Sequence, residues 1–389
     1  MFLNTLAVYI HWPFCKSKCP YCDFNSHVRD SIDHNAWKEA YLHEMRYTRD
    51  LTGPRTIESV FFGGGTPSLM EPGITAAIID EIDTLWGLPQ HTEITLEANP
   101  TSVEAEKLKN FKSAGVNRVS LGVQAMNDPD LKALGREHSA EEAMAAVKMA
   151  ADIFDRFTFD LIYARPHQSV TAWEAELKDA LQYGADHMSL YQLTIEEGTA
   201  FHTLHQRGDL IIPDEDTAAA LYETTQDIMG AHDMPAYEIS NHAKQGQESR
   251  HNMVYWQYRD YAGIGPGAHG RLTINNTKQA TRTHRAPEAW LQRVTENSNG
   301  YHPFEEITPS QRGTEMIMMG LRLTGGIDLK RLEAETGQDT SKILLPERVA
   351  TLESEGFMTR TKTHIMATMA GRQRLNALLP YLLDTDTAA

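Results

Sequence analysis

The chain has 389 residues, 41% of them hydrophobic and 23% charged, and a formal net charge of −17. That length exceeds one ordinary domain, and the composition is that of a folded protein with a sizeable core rather than a disordered one. The acidic surplus excludes sequence-independent binding of nucleic acid, which needs excess Lys and Arg, and no apolar run reaches the roughly eighteen residues of a membrane span.

The opening stretch "MFLNTLAVYIHWPFC" lacks a basic head and a small-residue cleavage site, so it reads as mature structure. The expected location is the cytoplasm, with an organelle matrix as the other possibility. Runs rich in β-branched and aromatic residues at 6–12, 57–65, 93–99, 117–124, 157–163 and 187–193 are predicted strands. Amphipathic stretches such as "VEAEKLKNFKSAG" and "AEEAMAAVKMAADIF" separate them. Strand-helix alternation of this kind implies a parallel sheet with helical crossovers, either a full or partial (β/α) barrel or a doubly wound sheet. Gly63 to Thr66, Glu97, Gln124 and Asp160 each fall late in or just after a strand, where barrel active sites assemble, and this favours the barrel.

After residue 235 the rhythm changes: "PAYEISNHA" is a further predicted strand and "GIGPGAHG" a glycine-rich loop. From about 305, "SQRGTEMIMMGLRL", "LKRLEAETG" and "PERVATLESEG" read as short helices and "FMTRTKTHIMAT" as a hairpin, together a small winged-helix-like domain. Such domains often bind DNA, but the acidic chain favours protein contact or a lid. The expected division is a barrel over 1–235, an extension packed on it over 236–304, and the small helical domain over 305–389.

Every cysteine lies in "HWPFCKSKCPYCDF": Cys15, Cys19 and Cys22, spaced C-x3-C-x2-C. An odd count argues against a secreted disulfide framework, and clustering argues for metal or redox chemistry. Cysteines that merely pack would be scattered. Zinc completed by His11 or His27 fits the ligand types but leaves the loop's place at the barrel mouth unexplained. A 4Fe-4S cube normally takes four thiolates, so three leave one iron open to a substrate or cofactor. Tyr21 and Phe24 could cover such a cluster. In "FFGGGTPS", Gly64, Gly65 and Thr66 allow close backbone approach to a ligand, although a tight turn alone would also use glycine. Glu97, Gln124 and Asp160 could each cap a helix, Gln124 poorly; their convergence at one mouth points to a polar ligand such as a ribose. Arg136 offers a fork to a carboxylate.

C-x3-C-x-aromatic-C after the first strand of a (β/α) domain resembles the radical S-adenosylmethionine (SAM) superfamily. The resemblance implies a partial (β/α) barrel with a 4Fe-4S cluster on Cys15, Cys19 and Cys22. It also implies that SAM chelates the open iron and is split by an electron from the cluster. The order of "YIHWPFC", "FGGGTPS", "LEANP", "VSLGVQ" and "DLIY" is similar to the group around oxygen-independent coproporphyrinogen III oxidase. That similarity implies a SAM site of Tyr9, Phe24, Gly64, Gly65, Thr66, Glu97, Gln124, Arg136 and Asp160. The oxidases carry a further cysteine where this chain reads "CDF", and a longer segment ahead of the cluster.

Downstream, "SLYQLTIEEGTAF", "YEISNHA" and "DYAGIGPGAHGR" resemble the HemW-type haem chaperones of that group. Their H-N-x-x-Y-W motif is matched by His251, Asn252, Tyr255 and Trp256. By this resemblance those four residues hold haem: His251 on the iron, Tyr255 and Trp256 against the porphyrin, and Arg250 or Arg259 on the propionates. The implied function is delivery of haem to client haemoproteins, membrane respiratory enzymes among them, by a protein able to form a homodimer. The alternative is an enzyme, oxidative decarboxylation of coproporphyrinogen III by a 5′-deoxyadenosyl radical, and the residues leave turnover open. In "LIYARPHQ", Arg165 and His167 stand where the family more often has small residues or glycine.

Overall fold

The computed structural model describes residues 4–383, without the side chains of Ser102 and Val103. Residues 1–3 and 384–389, the outer ends of the expected first and last units, lie outside it. An eleven-stranded sheet organises the chain. Six strands follow one another as predicted: β1 (Thr5–Trp12), β2 (Thr56–Gly64), β3 (Glu93–Ala98), β4 (Arg118–Gln124), β5 (Arg156–Tyr163) and β6 (His187–Gln192). They pair in parallel in the order 1-2-3-4-5-6. A doubly wound sheet reverses its strand order at a switch point, and these six do not. The result is the expected partial (β/α) barrel. Its strands are buried on both faces, as Leu6, Val8, Ile10 and Trp12 beside Ala7 illustrate in β1, which is why they read as near-continuous apolar runs.

The segment after 235 departs from expectation. "PAYEISNHA" forms only the three-residue β7 (Asn241–Ala243), antiparallel to β6. The fully buried Glu238 carboxylate accepts from the Ser240 amide at 2.8 Å and the Asn241 side chain at 2.6 Å, which bends the chain where an extended strand was expected. "GIGPGAHG", expected to be wholly loop, supplies the end of β8 (Tyr261–Ile264), parallel to β1, and the start of β9 (His269–Ile274). β9 turns into β10 (Thr277–Arg282) through Asn275 and Asn276, with φ of 49° and 63°, the left-handed pair of a tight hairpin. β11 (Glu305–Glu306) ends that edge. Only glycine at 263 leaves room for the His269 backbone to cross it.

The terminal region is as predicted: helices Pro309–Gly320, Leu329–Thr336 and Pro346–Ser354 with a small sheet of Ile327–Asp328, Met358–Arg360 and His364–Ala367. Its core, including Ile317, Leu332 and Ile365, also takes in Tyr258 from the preceding segment.

One buried acid ties the sheet's two halves. Glu44, on the helix His34–Thr52, accepts from the Gly265 and Gly300 amides, both at 2.8 Å, and from the Trp290 indole at 3.0 Å. Burial outweighs these bonds and lifts its pKa from 4.5 to about 7. Because the folded-state value is the higher one, the folded chain holds the proton that the unfolded chain releases. Stability from this group is therefore complete below about pH 4.5 and is lost as pH rises through about 7. Urea midpoints measured across that interval should show the decline, and Glu44→Gln should remove it; an unchanged profile in Glu44→Gln would exclude this assignment.

Candidate functional site

The carboxyl ends of the parallel strands share one side of the sheet, and the loops there bring the predicted residues together. Residues 13–27 form the cysteine loop. It is closed by the His27 amide on the Pro13 carbonyl at 2.7 Å and by pairing of Phe14–Cys15 with His27–Val28. The glycine turn is stitched to it, since the Gly65 amide bonds the Trp12 carbonyl at 2.6 Å and the Thr66 amide the Phe14 carbonyl at 2.8 Å. A Cβ on Gly65 would stand 2.6 Å from the Phe14 carbonyl oxygen, so no larger residue fits.

Cys15, Cys19 and Cys22 are free thiols, each partly exposed. Cys15 lies within electrostatic reach of both others. Burial raises the pKa of Cys15 and Cys22, while the Thr66 hydroxyl, 3.4 Å from the Cys15 sulfur, and the Phe24 amide at Cys22 favour thiolate, the ligating form. The Arg136 guanidinium stands 3.5 Å from the Cys19 sulfur. Among the described residues no group of three His, Cys, Asp or Glu side chains is disposed to hold a single metal ion. Both zinc candidates are engaged elsewhere: His11 bonds Asn25 and Tyr9 at 2.9 and 3.1 Å, and His27 bonds the Asn25 side chain at 3.2 Å. The donor set is three cysteine sulfurs with no fourth donor beside them among the described residues, which suits a cube with one open corner better than a closed tetrahedral ion.

Around this loop stand the residues expected to bind SAM. The Glu97 carboxylate accepts from the Gly64 amide, and burial, with Asp160 nearby, lifts its pKa to about 8. Asp160 is lifted to about 6 by burial despite the Ser189 and Ser120 hydroxyls. Gln124 has φ of 76°, a left-handed conformation rare for its type, and its buried Oε1 has no partner among the described residues. An acceptor without a partner on a strained turn is a feature that a polar ligand would complete. Arg136 is held by Asn99 and the Gly122 carbonyl at 2.7 and 2.8 Å. Tyr21 packs on Phe201 and lies against Cys19 and Arg136, beside the cysteine loop, whereas Phe24 is exposed and faces a cavity.

Arg165 is buried and pairs with Glu176 and, at 2.9 Å, with Asp130, while donating to the Ile162 carbonyl at 2.9 Å. Glu176 in turn accepts the Met126 amide at 2.8 Å. This ion network pins the loop in which Ala164 and His167 adopt φ of 57° and 61°, the conformation that glycine would take without cost. The departures at 165 and 167 thus compensate each other, and Gln124 gains a fixed support.

The H-N-x-x-Y-W residues sit on the short helix Arg250–Trp256. His251 is sealed: Nδ1 bonds the Ser59 hydroxyl at 2.8 Å, Nε2 bonds the Tyr255 hydroxyl at 2.6 Å, and the ring stacks on Phe61 at 4.9 Å. Burial, with Arg118, pushes its pKa down to about 3. This differs from the expectation of an imidazole facing iron, because both nitrogens are committed within the wall. Asn252 bonds Tyr237 instead of facing open space. Arg250 reaches the His91 carbonyl at 2.5 Å and Arg259 pairs with Glu58, so neither lines the cavity.

Tyr255 and Trp256 do line it. The cavity holds about 730 Å³ and joins Tyr9, Gly64 and Glu97 on the barrel to the aromatic helix and to Glu315 and Met319 of the terminal region. His269 and Arg271, inside the stretch "DYAGIGPGAHGR" without a role implied there, and Arg285, outside every motif, face it as well. Asn25 joins the two halves, donating from the cysteine loop to the Pro266 and Arg285 carbonyls, each at 3.0 Å.

A family model described as the Radical SAM superfamily matches residues 9–180, and one described as the HemN C-terminal domain matches 307–374. The chain is 36% identical to radical S-adenosyl methionine domain-containing protein 1, mitochondrial, of Bos taurus, over 97% of this chain and 87% of that one. It is 34% identical to the heme chaperone HemW of Escherichia coli (strain K12), over 98% and 99% of the two. Coproporphyrinogen III oxidase (HemN) from Escherichia coli shares the fold, with a TM-score of 0.81 at 20% identity and coverage of 98% and 90%.

Proposed function

Because this chain belongs to the HemW family within the radical SAM superfamily, we propose that it binds haem beside a 4Fe-4S cluster and SAM, and hands the haem to client haemoproteins. The observation that carries the reading is a cavity walled on one side by Tyr9, Gly64 and Glu97 and on the other by Tyr255 and Trp256. Its volume of about 730 Å³ lies within the ordinary range for small-molecule and cofactor sites. A flat aromatic ligand gains apolar burial against Tyr255 and Trp256, which His251 and Asn252 support from behind.

Cys15, Cys19 and Cys22 would hold the cluster, which supplies an electron to SAM when bound. The remaining SAM contacts fall to Phe24, Gly64, Gly65, Thr66, Glu97, Gln124, Arg136, Asp160 and Tyr9. The glycine turn admits the ligand's backbone-like end, Arg136 can turn from Asn99 to a carboxylate, and Gln124 offers its free acceptor. The division at about 235 and 305 follows this chemistry: barrel for SAM, extension for haem, terminal unit closing the cavity through Glu315 and Met319. Clients include membrane respiratory enzymes, reached by protein contact, since among the described residues no helix is long and apolar enough to cross a membrane. The three free thiols suit a reducing compartment, and we infer the cytoplasm, the mitochondrial names of some relatives marking the other candidate.

Haemin-loaded protein, purified anaerobically, should transfer haem to an apo-haemoprotein, faster with the cluster intact than without. The same preparation incubated with coproporphyrinogen III and SAM should yield no decarboxylated product. Multiple turnovers of that substrate would replace the chaperone reading with an oxidase.

A further inference from the structure

If His251 is sealed in the wall, iron in the cavity needs a ligand from elsewhere. Three other histidines line the same space: His11, His269 and His302. His11 already spends one ring nitrogen on Asn25 and the other on Tyr9. His302 stacks on His284 with centroids 3.8 Å apart. His269 differs from His11 in having no hydrogen bond to its ring among the described residues, and from His302 in being exposed into the cavity with no ring stacked on it among them.

Its surroundings follow from strand geometry. Side chains two apart on a strand share a face, and directly paired residues on neighbouring strands share one too. His269 and Arg271 therefore point the same way from β9, and Arg282, paired with His269 across the β9–β10 ladder, joins them. All three line the cavity, with Arg285 just beyond. Arg271 is committed to Glu315 at 2.7 Å and Arg282 to Glu305 at 3.2 Å, the latter exposed, while Arg285 makes no ion pair among the described residues. Partial burial and the positive field of these arginines lower the His269 pKa, which keeps the ring neutral and able to ligate.

We propose that His269 is the axial ligand to haem iron in this cavity, with Arg282 and Arg285 pairing with the propionates, an assignment that rests on the haem reading above. A neutral imidazole beside guanidinium groups suits haem, a nitrogen that would hold the metal and charge-assisted forks that would hold the carboxylates. Tyr255 and Trp256 then supply the flat apolar contact, and His251 works by holding Tyr255.

The test is anaerobic titration of haemin into the full chain and its His269→Ala, His251→Ala and His302→Ala forms, followed by the position and intensity of the Soret band. His269→Ala should lose the nitrogen-ligated spectrum and bind haemin roughly tenfold more weakly, and added imidazole should restore the band. His269→Gln, similar in size but not a ligand, should behave like the alanine form, which separates lost ligation from misfolding. His302→Ala should keep both the ligated spectrum and the affinity, whereas His251→Ala, which removes the support of Tyr255, should bind more weakly but keep the ligated spectrum at saturating haemin. A wild-type spectrum in both His269 variants overturns the assignment, as does loss of the band in His302→Ala, or in His251→Ala at saturating haemin. Wild-type protein that takes up no haemin overturns the haem reading itself, and this assignment with it.

Discussion

Anaerobically reconstituted Cys19→Ser protein is expected to be colourless, with iron and sulfide falling from about four each per chain to near zero. Serine offers a hard, protonated oxygen in place of a soft thiolate, and three thiolates are already the minimum that leaves one corner free. The Arg136 guanidinium, 3.5 Å from the Cys19 sulfur, would then face a hydroxyl instead of a charge-balancing ligand. The fold should survive. Cys19 is partly exposed on a loop, outside the apolar clusters that hold the sheet together. The local turn uses its backbone, through the Cys22 amide on the Cys19 carbonyl at 3.1 Å. Far-ultraviolet circular dichroism and Tm should match the parent apo-protein. Retention of stoichiometric iron and sulfide, together with a spectral response to SAM, would remove Cys19 from the ligand set.

The second large effect is on haem affinity. Trp256→Ala should weaken haemin binding by about 2 kcal/mol, roughly thirtyfold in Kd, the scale of losing one large aromatic contact. One face of the indole is occupied by the Arg322 guanidinium, 4.6 Å from the ring, and Trp256 itself lines the cavity. Its Nε1 is buried with no partner among the described residues, which leaves a donor available to a bound ligand. Because the side chain is only partly buried, the variant should unfold at nearly the parent temperature. Isothermal titration with haemin separates the two quantities. An unchanged Kd would mean that the aromatic helix does not touch the porphyrin, and the cavity would then serve some other ligand.

Much of this site is legible in the linear order of residues. The parallel strands show in their β-branched, doubly buried runs because local composition reports two-sided burial directly. Glu97, Gln124 and Asp160 stand out as polar residues late in apolar strands, and the fold brings Asp160 within electrostatic reach of Glu97. The edge β8–β10 escapes such reading, since "YAGI" is short and glycine-bearing and its pairing with β1 spans some 250 residues of chain, a separation no local pattern records. Glu44 carries no signal at all, because one acid in an amphipathic helix looks solvated until Gly265, Gly300 and Trp290 close over it.

The strand-helix alternation, the three-thiol loop and the family are thus encoded within windows of a dozen or so residues, by periodicity and spacing, and need no long-range contact to be recognised. Which histidines stay free is settled only on folding. His251 is prominent in its motif and yet locked between Ser59 and Tyr255, whereas His269 sits within the glycine-rich stretch "GIGPGAHG" with no role attached to it and faces open space among arginines. The reason is physical. A side chain's chemistry depends on which donors and acceptors long-range pairing sets against it, and only the register of β9 on β10 and the burial of the helix Arg250–Trp256 determine that.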